Sequence, residues 1–145
     1  MKRIFLPLLL TIVCCLSVLG LVGCMPVIST ITDIDRFSEM QQTADKIDVC
    51  FDNYTEDYFK FTIIDEENIT EIMEILFTET LSDKGKQLPP HGLNTFIVIY
   101  QGESSYSVDV HQIYQNQKLY SFTTSRLADK INDLATELGA WEYLK

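Results

Sequence analysis

Asp109 and His111 stand two residues apart in a run, Tyr106 to His111, that alternates apolar and polar side chains. On a strand, that spacing puts both on one face. A carboxylate beside an imidazole could work as an acid/base pair or supply two ligands to a metal ion. Zinc takes three or four protein ligands, and the second histidine, His91, falls in the Pro89-Pro90 loop. Neither a metal site nor a cofactor is therefore expected. Ser104, Ser105 and Ser107 lie near His111 in sequence, but no Gly-x-Ser-x-Gly turn presents a serine as a nucleophile. No glycine-rich loop could cradle phosphate. Cys14, Cys15 and Cys24 lie in or at the end of an N-terminal apolar run, which leaves Cys50 alone and without a disulfide partner in the rest of the chain. Only Lys46 and Lys60 are near enough in sequence to favour its thiolate. No catalytic residue is assigned.

The same residue types read differently as a surface. Lys46, Asp48, Cys50, Lys60, Thr62, Ser107, Asp109, His111 and Ser121 occupy the polar positions of alternating strands. A sheet with its other side covered would present them together as a binding face. Tyr54, Tyr58, Tyr100, Tyr106, Tyr114 and Tyr120 crowd the same segments. Tyrosine offers contact area with a polar tip, which suits recognition, although aromatic residues also simply favour strands.

The elements that would hold this face follow from hydrophobic period. Ile47, Val49 and Phe51 alternate with polar neighbours, as do Phe59, Phe61 and Ile63, with turn chemistry at Asp52 to Asp57 between them. Ile69, Ile72, Met73, Leu76 and Phe77 form a helical stripe that Asp65 or Asn68 can cap, with Gly85 as its expected stop. Phe96 to Tyr100 is apolar on both faces, the mark of a central strand. Tyr106, Val108 and Val110 continue as a strand, Gln115-Asn116-Gln117 as a turn, and Lys118 to Thr123 as a further strand. Ser125 is the expected cap of a last helix with Leu127, Ile131, Leu134 and Leu138 on one side, ended by Gly139. Trp141, Tyr143 and Leu144 are expected to fold back over a core edge. The expected fold is α+β: an antiparallel sheet of about five strands with two helices on one face, in the order ββαβββα.

Upstream lies a different kind of sequence. Lys2 and Arg3 precede an apolar run from Ile4 to Val22, then Gly23 and Cys24. That order is a secretory signal, although the run is also just long enough to remain as a membrane span. Leu21-Val22-Gly23-Cys24 resembles the lipobox of bacterial lipoproteins. The resemblance implies cleavage between Gly23 and Cys24, a diacylglyceryl group on the Cys24 sulfur, and a domain held at the outer side of the cell membrane. Two acyl chains hold stably where one is marginal. The expected division is a signal peptide over 1–23, a lipidated tether over 24–45 and one small domain over 46–145. Within the tether, Ile34, Phe37 and Met40 could share one side of a short helix.

All 21 acidic residues follow Cys24, against nine basic ones, so the mature chain carries a net charge of −12. That charge favours solubility and repels nucleic acid and anionic headgroups. The layout over about residues 46–138, with Thr62-Ile63-Ile64-Asp65 leading into Ile69 and Ile72, resembles small extracytoplasmic lipoproteins and sensor-type domains of Firmicutes. That resemblance carries no functional residue with it. The expectation is a monomeric, non-catalytic module that binds a protein or ligand at the cell surface. An inhibitor or immunity-type protein neutralising a basic partner is the alternative. A small hydrolase using His111 ranks last.

Overall fold

The computed structural model describes residues 28–52, 59–86 and 94–140. Ile47, Val49 and Phe51 turn to one side of β1 (Lys46–Asp52), and Lys46, Asp48 and Cys50 to the other. β2 (Phe59–Ile63) pairs antiparallel along one edge of β1, with Val49 opposite Phe61. β4 (Asn94–Gln101) pairs antiparallel along the other edge, with Val49 opposite Ile97. β5 (Ser104–Asp109) follows through the turn at Gly102 and closes a four-stranded sheet of order β2-β1-β4-β5. As its two-sided apolarity predicts, β4 is central. The inner face of this sheet buries Ile47, Val49, Phe51, Ile63, Ile97, Ile99 and Val108.

The remaining strands form a second sheet, which corrects the expectation of a single one of about five. β3 (Leu81–Lys86), β6 (Gln112–Gln115) and β7 (Lys118–Phe122) pair antiparallel in the order β3-β7-β6. Two local events cause the division. The first is at Asp109, whose carboxylate accepts from the backbone N–H of His111 at 2.8 Å and of Gln112 at 3.1 Å. This side chain–backbone turn ends one strand and redirects the chain into the next. The second is at the first helix, α1 (Glu66–Thr78), which stops at Glu79 rather than at Gly85. Glu79 is extended there, and Leu81 then donates to the Ser29 carbonyl at 2.8 Å. Gly85 instead serves an irregularity in β3, where its φ of +78° suits glycine. The turn at Asn116-Gln117 has both residues at positive φ, the geometry of a two-residue hairpin.

The helices cover one side. In α1, Ile69, Ile72, Met73, Ile75 and Leu76 are buried, and Asp65 caps the helix by accepting from Asn68 N–H at 3.0 Å. In α2 (Arg126–Glu137), Leu127, Ala128, Ile131, Leu134 and Ala135 are buried. Leu138, expected on this stripe, is 59% exposed because the helix has already ended. Ser125 makes no side-chain bond to a helix N–H; its hydroxyl bonds Asp129, and Thr124 Oγ1 accepts from Arg126 N–H. Both stripes join the inner sheet face and Ile113, Tyr120 and Phe122 of the second sheet in one core. Among the described residues, no helix is long and apolar enough to cross a membrane.

The described part of the expected tether, 28–45, belongs to this core. Ile31, Ile34, Phe37 and Met40 are all buried, over two 3₁₀ turns at Ile31–Asp33 and Asp35–Phe37. Asp33 locks the first turn by accepting from the N–H groups of Ser29 and Thr30 at 2.9 and 2.8 Å. Those two bonds, Ser29 foremost, hold its carboxyl below the usual range. Gln101 locks the far end, donating to the Gln41 carbonyl at 2.7 Å and accepting from Gln41 N–H at 3.1 Å. The periodicity was too short for sequence to distinguish this segment from a linker; long-range packing makes it structure. The signal segment, Gly23, Cys24, Tyr54, Tyr58, His91, Trp141, Tyr143 and Leu144 lie outside the described residues.

Candidate functional site

The outer face of the four-stranded sheet is set by register. Lys46, Asp48 and Cys50 of β1 share it with Lys60 and Thr62 of β2, with Phe96, Val98 and Tyr100 of β4, and with Ser105, Ser107 and Asp109 of β5. At its centre Asp48 is only 2% exposed, although it points away from the core. Both neighbouring strands, β2 and β4, converge on it. Thr62, directly opposite, donates to Oδ1 at 2.7 Å. Lys60 and Tyr100, the diagonal neighbours on either side, donate to Oδ2 at 3.2 and 3.0 Å. Burial pushes the Asp48 carboxyl up, but the three donors outweigh it and hold the group below the ordinary carboxylate range. The bond to Asp48 in turn raises Lys60 and Tyr100 above their usual values.

The rest of the face builds around this knot. The Lys46 ammonium sits 4.3 Å from the centre of the Tyr100 ring, a cation–π contact. Cys50 is 3% exposed, and burial, reinforced by the Asp48 charge, pushes its thiol up. It is therefore a thiol rather than a nucleophilic thiolate at neutral pH. Lys60 remains 47% exposed, and Thr62, Ser105 and Ser107 are exposed. Three donors stabilise the ionised carboxylate, which makes Asp48 a weak base. What the arrangement does chemically is present lysine, hydroxyl and tyrosine groups in fixed register on a flat strand surface.

Of the sequence-derived candidates, the fold brings together Lys46, Asp48, Cys50, Lys60 and Thr62, with Ser107 on the same face beyond β4. Asp109 lies at the end of that face opposite Phe96, with its Oδ1 engaged in the chain-redirecting turn. Burial raises its carboxyl, against the pull of those two backbone N–H groups. His111 leaves the face: it sits after the turn and its carbonyl accepts from Phe122 N–H at 3.2 Å. The expected Asp109–His111 same-face pair is thus replaced by a turn. Ser121 also leaves, because β7 belongs to the second sheet, where Ser121 pairs with Gln112 and Ser82. Among the described residues no three His, Cys, Asp or Glu side chains gather as a metal site would require.

Sequence reasoning missed two participants. Tyr100 was one aromatic among six, and only the β1–β4 register reveals its bond to Asp48. Glu79 gave no signal at all, yet is 3% exposed. Its Oε1 accepts from the Thr124 hydroxyl, while among the described residues Oε2 has no hydrogen-bond partner. No protein-family model, curated protein or solved structure matches the chain.

Proposed function

We propose that this chain is a lipid-anchored extracytoplasmic lipoprotein, attached to the membrane through Cys24, whose domain is a non-catalytic binding module. The outer face of the four-stranded sheet is its contact surface, and the partner is a protein. One observation carries the reading. Lys60, Thr62, Ser105 and Ser107 of this face are exposed, and the Asp48 knot holds Thr62, Lys60 and Tyr100 in a single register. Pre-ordered side chains lose less entropy on binding. A strand face is flat, whereas small molecules favour concave sites. Tyr100 and the lysine and hydroxyl groups around it supply the mixed apolar and polar contacts of a protein interface.

Site-specific photocrosslinking in the producing cells tests this. A crosslinking residue at Ser107 or Thr62 is expected to capture one discrete protein, and one at exposed Asn132 of α2 to capture none. Capture from Asn132 alone would move the interface to the acidic helices and favour the inhibitor-type reading. The anchor is tested separately: Cys24→Ala is expected to accumulate as an unprocessed precursor without lipid. Normal processing and lipid labelling of that variant would overturn the lipoprotein assignment.

A further inference from the structure

The basic residues of this acidic chain are unevenly placed. Three of the nine that follow Cys24 lie in the second sheet: Lys84 and Lys86 in β3 and Lys118 in β7. Against them the three strands of that sheet hold one acidic residue, Asp83. Asp83 is exposed and accepts from Gly85 N–H at 2.6 Å and from the Lys118 ammonium at 3.0 Å, offsetting one of the three lysines. By contrast α1 carries Glu66, Glu67, Glu71 and Glu74 and no basic residue. A chain of net charge −12 therefore has one sheet with an excess of positive charge. Lys86 pairs with Lys118 in the register, next to the Asn116-Gln117 turn, so the lysines gather at one end of that sheet.

The other end of the sheet adjoins the start of the folded domain. Leu81, the first residue of β3, donates to the Ser29 carbonyl at 2.8 Å. Ile28 already packs against the core. Only three residues separate Cys24 from Ile28, and those four Cα-to-Cα steps span at most about 14 Å even fully extended. A domain anchored at Cys24 cannot leave the membrane surface. β3 runs about 17 Å from Leu81 to Lys86, so a strand lying along the bilayer brings its lysines to the headgroups. Attraction between exposed charges fades beyond a Debye length of about 8 Å at physiological salt, which is why the short link matters.

We propose that the second sheet, through Lys84, Lys86 and Lys118, docks on anionic lipid headgroups of the membrane that holds the anchor. The acidic α1 then turns away from the bilayer. This rests on the Cys24 anchor and revises the uniform repulsion that net charge alone implies: local charge, not the sum over the chain, meets the lipid.

The test uses the lipidated full-length protein purified from producing cells and reconstituted in vesicles. Single labelling cysteines replace Gln115, beside Lys118, or Glu103, in the β4–β5 turn, and energy transfer to a headgroup dye is measured. Transfer from position 115 is expected to rise in phosphatidylglycerol-containing vesicles over pure phosphatidylcholine. It should fall when salt is raised to shorten the Debye length, and in the triple variant Lys84→Gln, Lys86→Gln, Lys118→Gln. Circular dichroism of the triple variant checks that it is folded. Transfer from 115 that ignores lipid charge, salt and the triple substitution overturns the docking while leaving the anchor intact. Protein that fails to float with vesicles at all overturns the anchor, and the docking with it.

Discussion

Asp48 and Glu79 are the two charged side chains buried among the described residues, and the molecule treats them in opposite ways. Asp48 sits mid-strand on the outer face, where neighbouring strands supply three donors at fixed spacing. Glu79 sits where α1 hands over to β3, with one donor, the Thr124 hydroxyl, and, among the described residues, an oxygen without a hydrogen-bond partner. A sheet satisfies a carboxylate because register delivers donors from both sides. A junction between elements has no such repeat. Asp48 is thus a rigid centre, and Glu79 a local cost that the core offsets.

The largest expected consequence is for Asp48→Ala. Removing the acceptor strands three donors, and with Lys60 able to reach water the loss should be about 2–3 kcal/mol. Urea unfolding midpoints measure it; a change within error would break the contrast by making Asp48 dispensable. Next come the matched neutral isosteres. Asp48→Asn should cost about 1–2 kcal/mol, since charge-assisted bonds become ordinary ones. Glu79→Gln should change stability by less than about 0.5 kcal/mol, because losing a dry, half-satisfied charge offsets a weaker bond to Thr124. Equal losses in the two variants would show that both carboxylates are fully supported.

A pH series sharpens the same comparison. Asp48 is depressed in the folded state, so its contribution is complete above the unfolded carboxyl value near 3.8 and is lost as pH falls through the lower folded value. Asp33 and Asp83 are depressed as well and add to this acid limb. Asp109 is raised, so its ionisation weighs against folding at neutral pH, and protonation relieves it as pH falls. Asp48→Asn should therefore flatten the acid limb, while Asp109→Asn should steepen it. Midpoints from neutral pH downward decide; parallel curves for both variants would contradict the opposed signs. A small effect is expected for Lys60→Ala too, with a midpoint shift below that of Asp48→Asn, because an exposed partner is screened by water.

Much of the fold was legible because it depends on local period. The alternation in β1 and β2, the stripe of α1, the two-sided apolarity of β4 and the left-handed turn at Asn116 each declare themselves within a few residues. The face was half legible: alternation placed Lys46, Asp48, Lys60 and Thr62 on polar positions, but could not say that Asp48 would be dry. Nor could it say that Asp109 would spend its carboxylate on a turn, since a turn-forming aspartate and a strand aspartate look alike inside an alternating run.

By itself, the sequence determined where apolar faces lie. It also determined how charge is distributed along the chain. Only the tertiary structure decided that Ile31, Ile34, Phe37 and Met40 are core rather than linker. It alone divided the strands into two sheets and gathered Tyr100, Thr62 and Lys60 on one carboxylate. The physical reason is range. Side-chain period acts between neighbours a few positions apart. Burial and buried hydrogen bonds depend on partners distant in sequence, as Tyr100 is from Asp48, and those become neighbours only when strands pair.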